Sequence, residues 1–473
     1  MRKVKHVIAV DFGSTYTKVV AIDSERKKII LSDKVPSTVH EDACIGLKKC
    51  FAKVRTVLSE EEIQQALKLA SSSAAGGLRM LVVGITKTLS GVAATETVFG
   101  AGAKVVGNYW EPLTSDTITE IENAKAEIIF FCGGYEHGNR DIVIHNAEML
   151  ARSNIQIPII YSGNSELVFD VRNILKRRRK ECFIIDNIIP DIGILNMEPA
   201  REVIRNLFMD RITDLKGLHN IKRYFSNDLV PTPAAVLSAG ELLSRGTELQ
   251  EGFGEMMLVD VGGATTDIYS FNDNLPYKDA RLIGVEETYD KRTVEGDLGM
   301  RESSESLLEA ISMETLVKET GLKEQQIKDG IRRRCKSTDM LPDTEAECRL
   351  ENAIVHSAVR LAARRHAGRV EYTFEKNQQK YQKGKNLTKI HKVIGTGGAI
   401  LHNISPGNVL KELEKSDADK RDMLLMPVTI EPYVDSSYVL FAAGLLREYD
   451  EETALAIMKQ SICKLEDGQG VRV

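Results

Sequence analysis

Apolar and polar positions fall into blocks along the 473-residue chain, and the period of those blocks changes along its length. Residues 6–10 are apolar, Asp11-Phe12-Gly13-Ser14-Thr15-Tyr16 is turn-like, and 17–22 is β-branched and apolar again, which predicts two strands joined by a tight polar turn. A polar stretch follows. It contains a predicted helix over 59–69, opened by Ser59 as N-cap with Glu62 at the capping-box position. From about 80 to 190, short unbroken apolar runs at 80–85, 104–107, 127–134, 157–163 and 182–185 are separated by helical patterns near 92–101, 141–152 and 166–179. Strands covered on both faces read as continuous apolar runs, so this segment predicts a doubly wound parallel sheet of Rossmann or flavodoxin type.

Helices are predicted over 200–211 and 233–243. Residues 256–270 then repeat the opening strand–turn–strand pattern, with Asp260-Val261-Gly262-Gly263-Ala264-Thr265-Thr266 at the turn. Residues 301–370 read as largely helical and 375–389 as an exposed linker. Residues 392–401 read as a strand, a glycine turn and a helix start, and 438–446 as a small-residue helix. A single core rarely grows beyond about 250–300 residues, so more than one domain is expected.

The chemistry lies in the two hairpins. Each carries an aspartate at the end of an apolar strand, then glycine, then small and hydroxyl residues. A phosphate chain needs backbone N–H groups at close range, and turns without bulky side chains allow that approach. Ser14, Thr15, Thr265 and Thr266 add hydroxyl donors, and Lys18 a positive charge. Magnesium takes one or two carboxylates and keeps several waters, so two aspartates facing across a cleft suit a magnesium–nucleotide site. One Asp-x-Gly turn is an ordinary strand end; two copies half a chain apart are the informative observation. Gly395-Thr396-Gly397-Gly398 reads either as a backbone platform for adenine or ribose or as a plain tight turn. The loops at Gly133-Gly134 and Ser162-Gly163-Asn164 follow sheet strands and are either ligand loops or turns.

Composition narrows the classes. A formal charge of -5 argues against nucleic acid as the main partner. The basic runs 176–180 and 332–334 each close a helical pattern and read as solvated helix ends. No apolar run reaches the roughly 18 residues of a membrane span, and the start of the chain carries no signal-peptide pattern. The seven cysteines form no Cys-x-x-Cys pair, which suits reduced thiols in a cytoplasmic protein. Scattered histidines, among them His40 and His219, lack metal-ligand spacing.

The order of first hairpin, second hairpin, glycine loop and Ala-Gly helix resembles the superfamily of actin, sugar kinases and heat-shock chaperone ATPases. That resemblance implies two ribonuclease H-like lobes closing on ATP and Mg2+. Asp11 and Asp260 would hold hydrated magnesium, and one of them would position the attacking water. The loops 13–15 and 262–266 would grip the phosphates, Gly395, Gly397 and Gly398 would face the adenosine, and 233–243 and 440–446 would be interlobe hinge helices. The domains would be 1–79 (first lobe), 80–190 (insert), 191–250 (completion of the first lobe, with a hinge helix) and 251–473 (second lobe).

More narrowly, the stretches 70–78, 196–201 and 293–301 resemble the accessory-factor family encoded with glutamate mutase (methylaspartate mutase). The likeness spans nearly the whole chain and implies a chaperone-like ATPase. Such a factor would use ATP to open a cobalamin-dependent mutase and release damaged cofactor, with the insert facing the partner. The insert lacks a clear Asp-x-His-x-x-Gly cobalamin motif. Two other functions are weighed from the same core. A small-molecule kinase needs a general base at an acceptor pocket, which no segment announces; an actin-like filament needs a head-to-tail interface. Self-association is left open.

Overall fold

The computed structural model describes residues 4–466 apart from 14, 40, 74–77, 88, 102, 192–193, 213–220, 222–223, 228, 284–286 and 373–378. Ser14, His40, His219, part of the 70–78 stretch and part of the 375–389 linker therefore lie outside the described residues. The chain forms two compact units. One comprises Met1–Gly76, Ile212–Leu282 and Glu287–Val473; the other comprises Gly77–Arg211 and Ile283–Glu286.

The first unit begins with β1 (His6–Phe12), β2 (Tyr16–Asp23), β3 (Lys28–Pro36) and β4 (Leu67–Ser72). The Ser59–Glu62 capping box forms as expected, but the helix it opens, Glu60–Gln65, ends after six residues. The predicted helix over 59–69 is thus half right. Residues 67–72 are instead a strand whose Leu69, Ala70, Ser71 and Ser72 are buried beside β1. Pairing in the middle of a sheet overrides the helical continuation that local propensity favours.

The chain then enters the second unit through β5 (Arg79–Val83), β6 (Lys104–Tyr109), β7 (Ile128–Gly133), β8 (Ile159–Gly163) and β9 (Cys182–Ile184). All pairs are parallel and the order is β6-β5-β7-β8-β9, the doubly wound arrangement of flavodoxin type. Its core packs Ile129, Phe131 and Tyr161 of the sheet against Val143, Leu150, Val171 and Leu175 of the helices.

Returning to the first unit, β10 (Val230–Pro231) completes a sheet of order β10-β4-β1-β2-β3. The strands β11 (Met256–Val261), β12 (Thr266–Phe271), β13 (Arg281–Leu282), β14 (Asp290–Glu295), β15 (Arg369–Tyr372), β16 (Lys380–Lys383), β17 (Lys392–Thr396), β18 (Glu431–Asp435) and β19 (Ile462–Lys464) follow. They form a sheet of order β14-β12-β11-β17-β18-β19 and a small one of β13-β16-β15. The first five strands of the larger sheet repeat the first sheet in order and direction. In each, a hairpin supplies two antiparallel neighbours, a third antiparallel strand flanks it, and two parallel strands join on the other side. This is the α/β fold of two ribonuclease H-like, actin-like ATPase lobes, with a doubly wound parallel-sheet insert.

One hydrophobic core serves both lobes. Val7, Ala9, Val20 and Ile22 of the first sheet and Leu258, Tyr269 and Phe271 of the second pack against the helices Thr232–Arg245, Leu440–Leu446 and Glu451–Ser461. No helix among the described residues is long and apolar enough to cross a membrane. All seven cysteines are free.

Candidate functional site

The two hairpins close their turns with the same backbone hydrogen bond. Gly13 N donates to Tyr16 O at 3.0 Å, and Gly262 N donates to Thr265 O at 2.9 Å. Each aspartate sits two residues before its turn glycine and has a hydroxyl residue beside it on the parallel strand, Ser71 for Asp11 and Thr396 for Asp260. The antiparallel neighbours differ. Asp11 faces Lys18, whereas Asp260 faces Asp267.

Asp11 is sealed in, only 1% exposed. Its Oδ1 accepts from Ser71 Oγ at 3.1 Å and from Thr232 Oγ1, and its Oδ2 lies 3.8 Å from Lys18 Nζ. Asp260 keeps contact with solvent at the end of its strand and accepts no hydrogen bond from a side chain among the described residues. Burial pushes its carboxyl up to about 6; Lys18 and Arg292 oppose the rise, and Asp267 and Asp11 add to it. Asp267 itself is held by a buried pair with Arg292 and by Thr265 Oγ1 at 2.9 Å.

The turns adjoin one another. A Cβ placed on Gly263 would lie 3.8 Å from Thr15 Oγ1, so the tips of the two hairpins meet across the lobes. The segment 293–301 clamps the second tip from behind. Met300 N donates to Gly262 O at 3.0 Å, Arg301 N donates to Gly263 O at 2.8 Å, and a Cβ on Gly299 would strike Ala264 at 2.4 Å. Glu295 and Asp297 of that segment are both held by Arg365.

Gly397 has φ +88°, and a Cβ there would come within 2.7 Å of Asp260 Oδ1 and 2.6 Å of Val261 O. Only glycine fits that close approach. Gly398 faces the same space, with Tyr438 Oη and His402 as its nearest atoms. Gly395 does not: its open side meets Ile400 and Leu410 in the core. The hydroxyls also divide. Thr266 is fully buried and donates to Leu298 O at 2.7 Å, and Thr265 donates to Asp267, so the single proton of each is spent inside the protein. Thr15 is the predicted hydroxyl that the structure leaves at the junction of the turns; Ser14 lies outside the described residues.

Lys18 was singled out in the sequence, but several of its neighbours at the site had no sequence signal. Lys18 Nζ stands 4.9 Å from the centre of the Tyr438 ring. Lys34, the cross-strand neighbour of Lys18, reaches the same ring from 5.7 Å, the Tyr16 ring from 5.0 Å, and His402 Nε2 at 3.3 Å. Desolvation and the Lys18 charge hold Lys34 below the usual lysine range. Desolvation, reinforced by Asp260, Asp435 and Tyr16, raises the Tyr438 phenol. Asp435 caps the helix Leu440–Leu446 by accepting from Val439 N and Leu440 N, each at 3.2 Å. Beneath the site, that helix crosses Thr232–Arg245 so closely that a Cβ on Gly444 would fall 1.8 Å from Ala235 O.

With this geometry in hand, comparison with known proteins gives a family and a set of distant folds. The family described as "MutL protein" matches residues 7–462. The chain is 39% identical over 460 residues to "Protein MutL" of Clostridium tetanomorphum, covering 97% of this chain and 99% of that one. Among solved structures it is similar to a xylulose kinase from Bifidobacterium adolescentis at 10% identity and TM-score 0.28, over 96% of this chain and 93% of the other. It is also similar to a propionate kinase from Francisella tularensis subsp. tularensis SCHU S4 at 10% identity and TM-score 0.26, over 93% and 98%. Likenesses so distant add nothing to what the strand order already establishes.

Proposed function

Because the chain belongs to the MutL protein family, we propose that it is an ATP-dependent, chaperone-like reactivating factor for a cobalamin-dependent mutase, with glutamate mutase (methylaspartate mutase) as client. One observation carries the nucleotide half of this reading. Equivalent aspartates of two repeated sheets share a site at which their glycine turns adjoin. The client half rests on the resemblance of the stretches 70–78, 196–201 and 293–301.

The residues fit a magnesium nucleotide. Asp260 lies near Asp11 and Asp267, and its raised pKa records a carboxylate that gains from a cation. Among the described residues no cluster of three or more His, Cys, Asp or Glu side chains could hold a metal by itself. Magnesium would therefore be held through water, by Asp11 and Asp260, and by phosphate oxygens. When bound, the ion neutralises phosphate charge and orients the triphosphate.

The protein's own groups divide the remaining work. The N–H groups of Gly13 and Gly262 close their own turns, so those of Thr15 and Gly263 are the ones offered to phosphate, with the Thr15 hydroxyl at the junction. Lys18 is steadied by Asp11 and the Tyr438 ring, so its charge is fixed in position. Gly397 lets its loop close on Asp260, and Gly398, with its nearest atoms at ordinary contact distance, leaves room for the nucleoside. Asp11 Oδ1 is taken by Ser71 and Thr232 and its Oδ2 faces Lys18, so Asp260 is the carboxylate that takes a proton from the attacking water. Burial raises this carboxyl to about 6 without a cation, and a bound cation would lower it, so it is ionised and able to accept a proton at neutral pH. A γ-phosphate bridging both turns favours the closed lobes, and its loss on hydrolysis removes the preference.

The test uses Asp260→Ala. Hydrolysis of ATP is expected to vanish while circular dichroism stays that of the parent, and undiminished hydrolysis would remove the site assignment. Inactivated glutamate mutase, incubated with the wild-type chain, ATP and magnesium, should recover on adding fresh coenzyme. Active hydrolysis with no recovery would remove the client.

A further inference from the structure

The helix Val168–Arg177 of the insert buries Val171 and Leu175 against the sheet and turns Phe169, Arg172, Lys176 and Arg177 outward. Arg178 and Arg179 follow, both exposed, and Arg179 takes φ +56°, a helix-ending conformation that glycine usually occupies. Lys180 turns inward and donates to Ser153 O and Ile155 O. That leaves Arg172, Lys176, Arg177, Arg178 and Arg179 with no ion pair to a carboxylate among the described residues. The helix's own Asp170 is taken by Arg140, and the neighbouring Glu166 lies against His137. Beside these cations Phe169 stands 75% exposed.

The other basic run of the chain is an internal control. Arg332 pairs with Asp329, Arg333 with Glu347, and Arg334 with Glu351. There the charges are matched within the fold. On Val168–Arg177 they are left unmatched, in a chain whose formal charge is -5. A solvated helix end accounts for one or two cations near the carbonyl terminus. It does not account for five with an aromatic ring set among them.

We infer that the face formed by Phe169, Arg172, Lys176, Arg177, Arg178 and Arg179 is a docking surface for an acidic protein partner, one that offers carboxylates around an apolar recess for the Phe169 ring. Unpaired cations of one sign steer encounter with a complementary surface, and an exposed aromatic supplies the anchor. A protein partner fits better than nucleic acid. Outside this face the chain is more acidic still, and its field repels a long polyanion, whereas a compact protein patch interacts over about one Debye length. The inference stands on the insert alone and is independent of the nucleotide site.

The test compares the full-length chain with R172Q/K176Q/R177Q, F169A and the charge-conserving R172K/R177K. The probes are purified glutamate mutase subunits, poly-L-glutamate and single-stranded DNA, at low and physiological salt. Binding to the subunits or to poly-L-glutamate is expected to weaken roughly tenfold or more in the neutralised variant, to weaken in F169A for the subunits, and to persist in the lysine variant. Basal ATP hydrolysis is expected to be the same in all of them. Retention of poly-L-glutamate without the mutase subunits would keep this surface while removing glutamate mutase as client. Equal binding by parent and neutralised chains, no binding to either acidic polypeptide, or tighter binding to DNA than to both would overturn the inference.

Discussion

Asp11 and Asp260 occupy the same position in two copies of one sheet, yet their surroundings give them opposite characters. Two hydroxyls and an ammonium satisfy Asp11, whereas Asp260, beside Asp267 and Asp11, accepts no side-chain hydrogen bond among the described residues. A carboxyl whose native pKa is raised to about 6 destabilises the fold wherever it is ionised, above that pH. The cost disappears as pH falls towards the unfolded value of about 3.9, because the native carboxyl is then protonated. Asp260→Asn should therefore stabilise the first unit by about 1–3 kcal/mol at pH 8. The gain should fade between pH 6 and 4, as read by urea unfolding at each pH. A loss of stability at pH 8 would show that Asp260 is satisfied in the fold rather than held at some cost for chemistry.

At the scale of elements, the helices Thr232–Arg245 and Leu440–Leu446 join the lobes. Thr232, the first residue of one, bonds Asp11, and Asp435, the cap of the other, lies close enough to feel Lys18. Their crossing has no room for a side chain at Gly444, which lies against Ala235 O. Gly444→Val should separate the helices, cost about 1–3 kcal/mol by overpacking, and slow ATP hydrolysis although no atom of Gly444 meets the nucleotide site. Denaturant unfolding and steady-state hydrolysis measure the two effects, and full activity at parental stability would mean that the crossing is not rigid. From the sequence these were two helices that the superfamily resemblance made interlobe hinges; the contact of Gly444 with Ala235 had no sequence signal.

For the molecule as a whole, a ligand that binds the native first unit and not its unfolded state must raise that unit's transition by mass action. Magnesium and ATP in large excess should lift it by several degrees and leave the insert's transition where it was. Asp260→Ala should abolish the lift. A shift confined to the insert's transition would move the nucleotide out of the lobes altogether. The two units would then need their functions exchanged.

Local pattern alone determined much of this protein. The repeated Asp-x-Gly hairpins, the alternation of apolar runs and helices in the insert, the Ser59–Glu62 capping box and the glycine loop before a helix are each written within a few consecutive residues. Steric and hydrogen-bonding preferences of neighbours suffice to specify them. Tertiary structure alone decided that 67–72 is a strand, because only β1 and β10 on either side make extended pairing better than another turn of helix. It decided that Thr266 points into the core and that Gly395 packs on Leu410. It also brought Thr15 to Gly263, Thr232 to Asp11, and Lys34 to His402 and Tyr438. Those partners lie far apart along the chain, and no local energy couples them. Their meeting follows from two sheets sharing one core, which closes only when all the strands are in register.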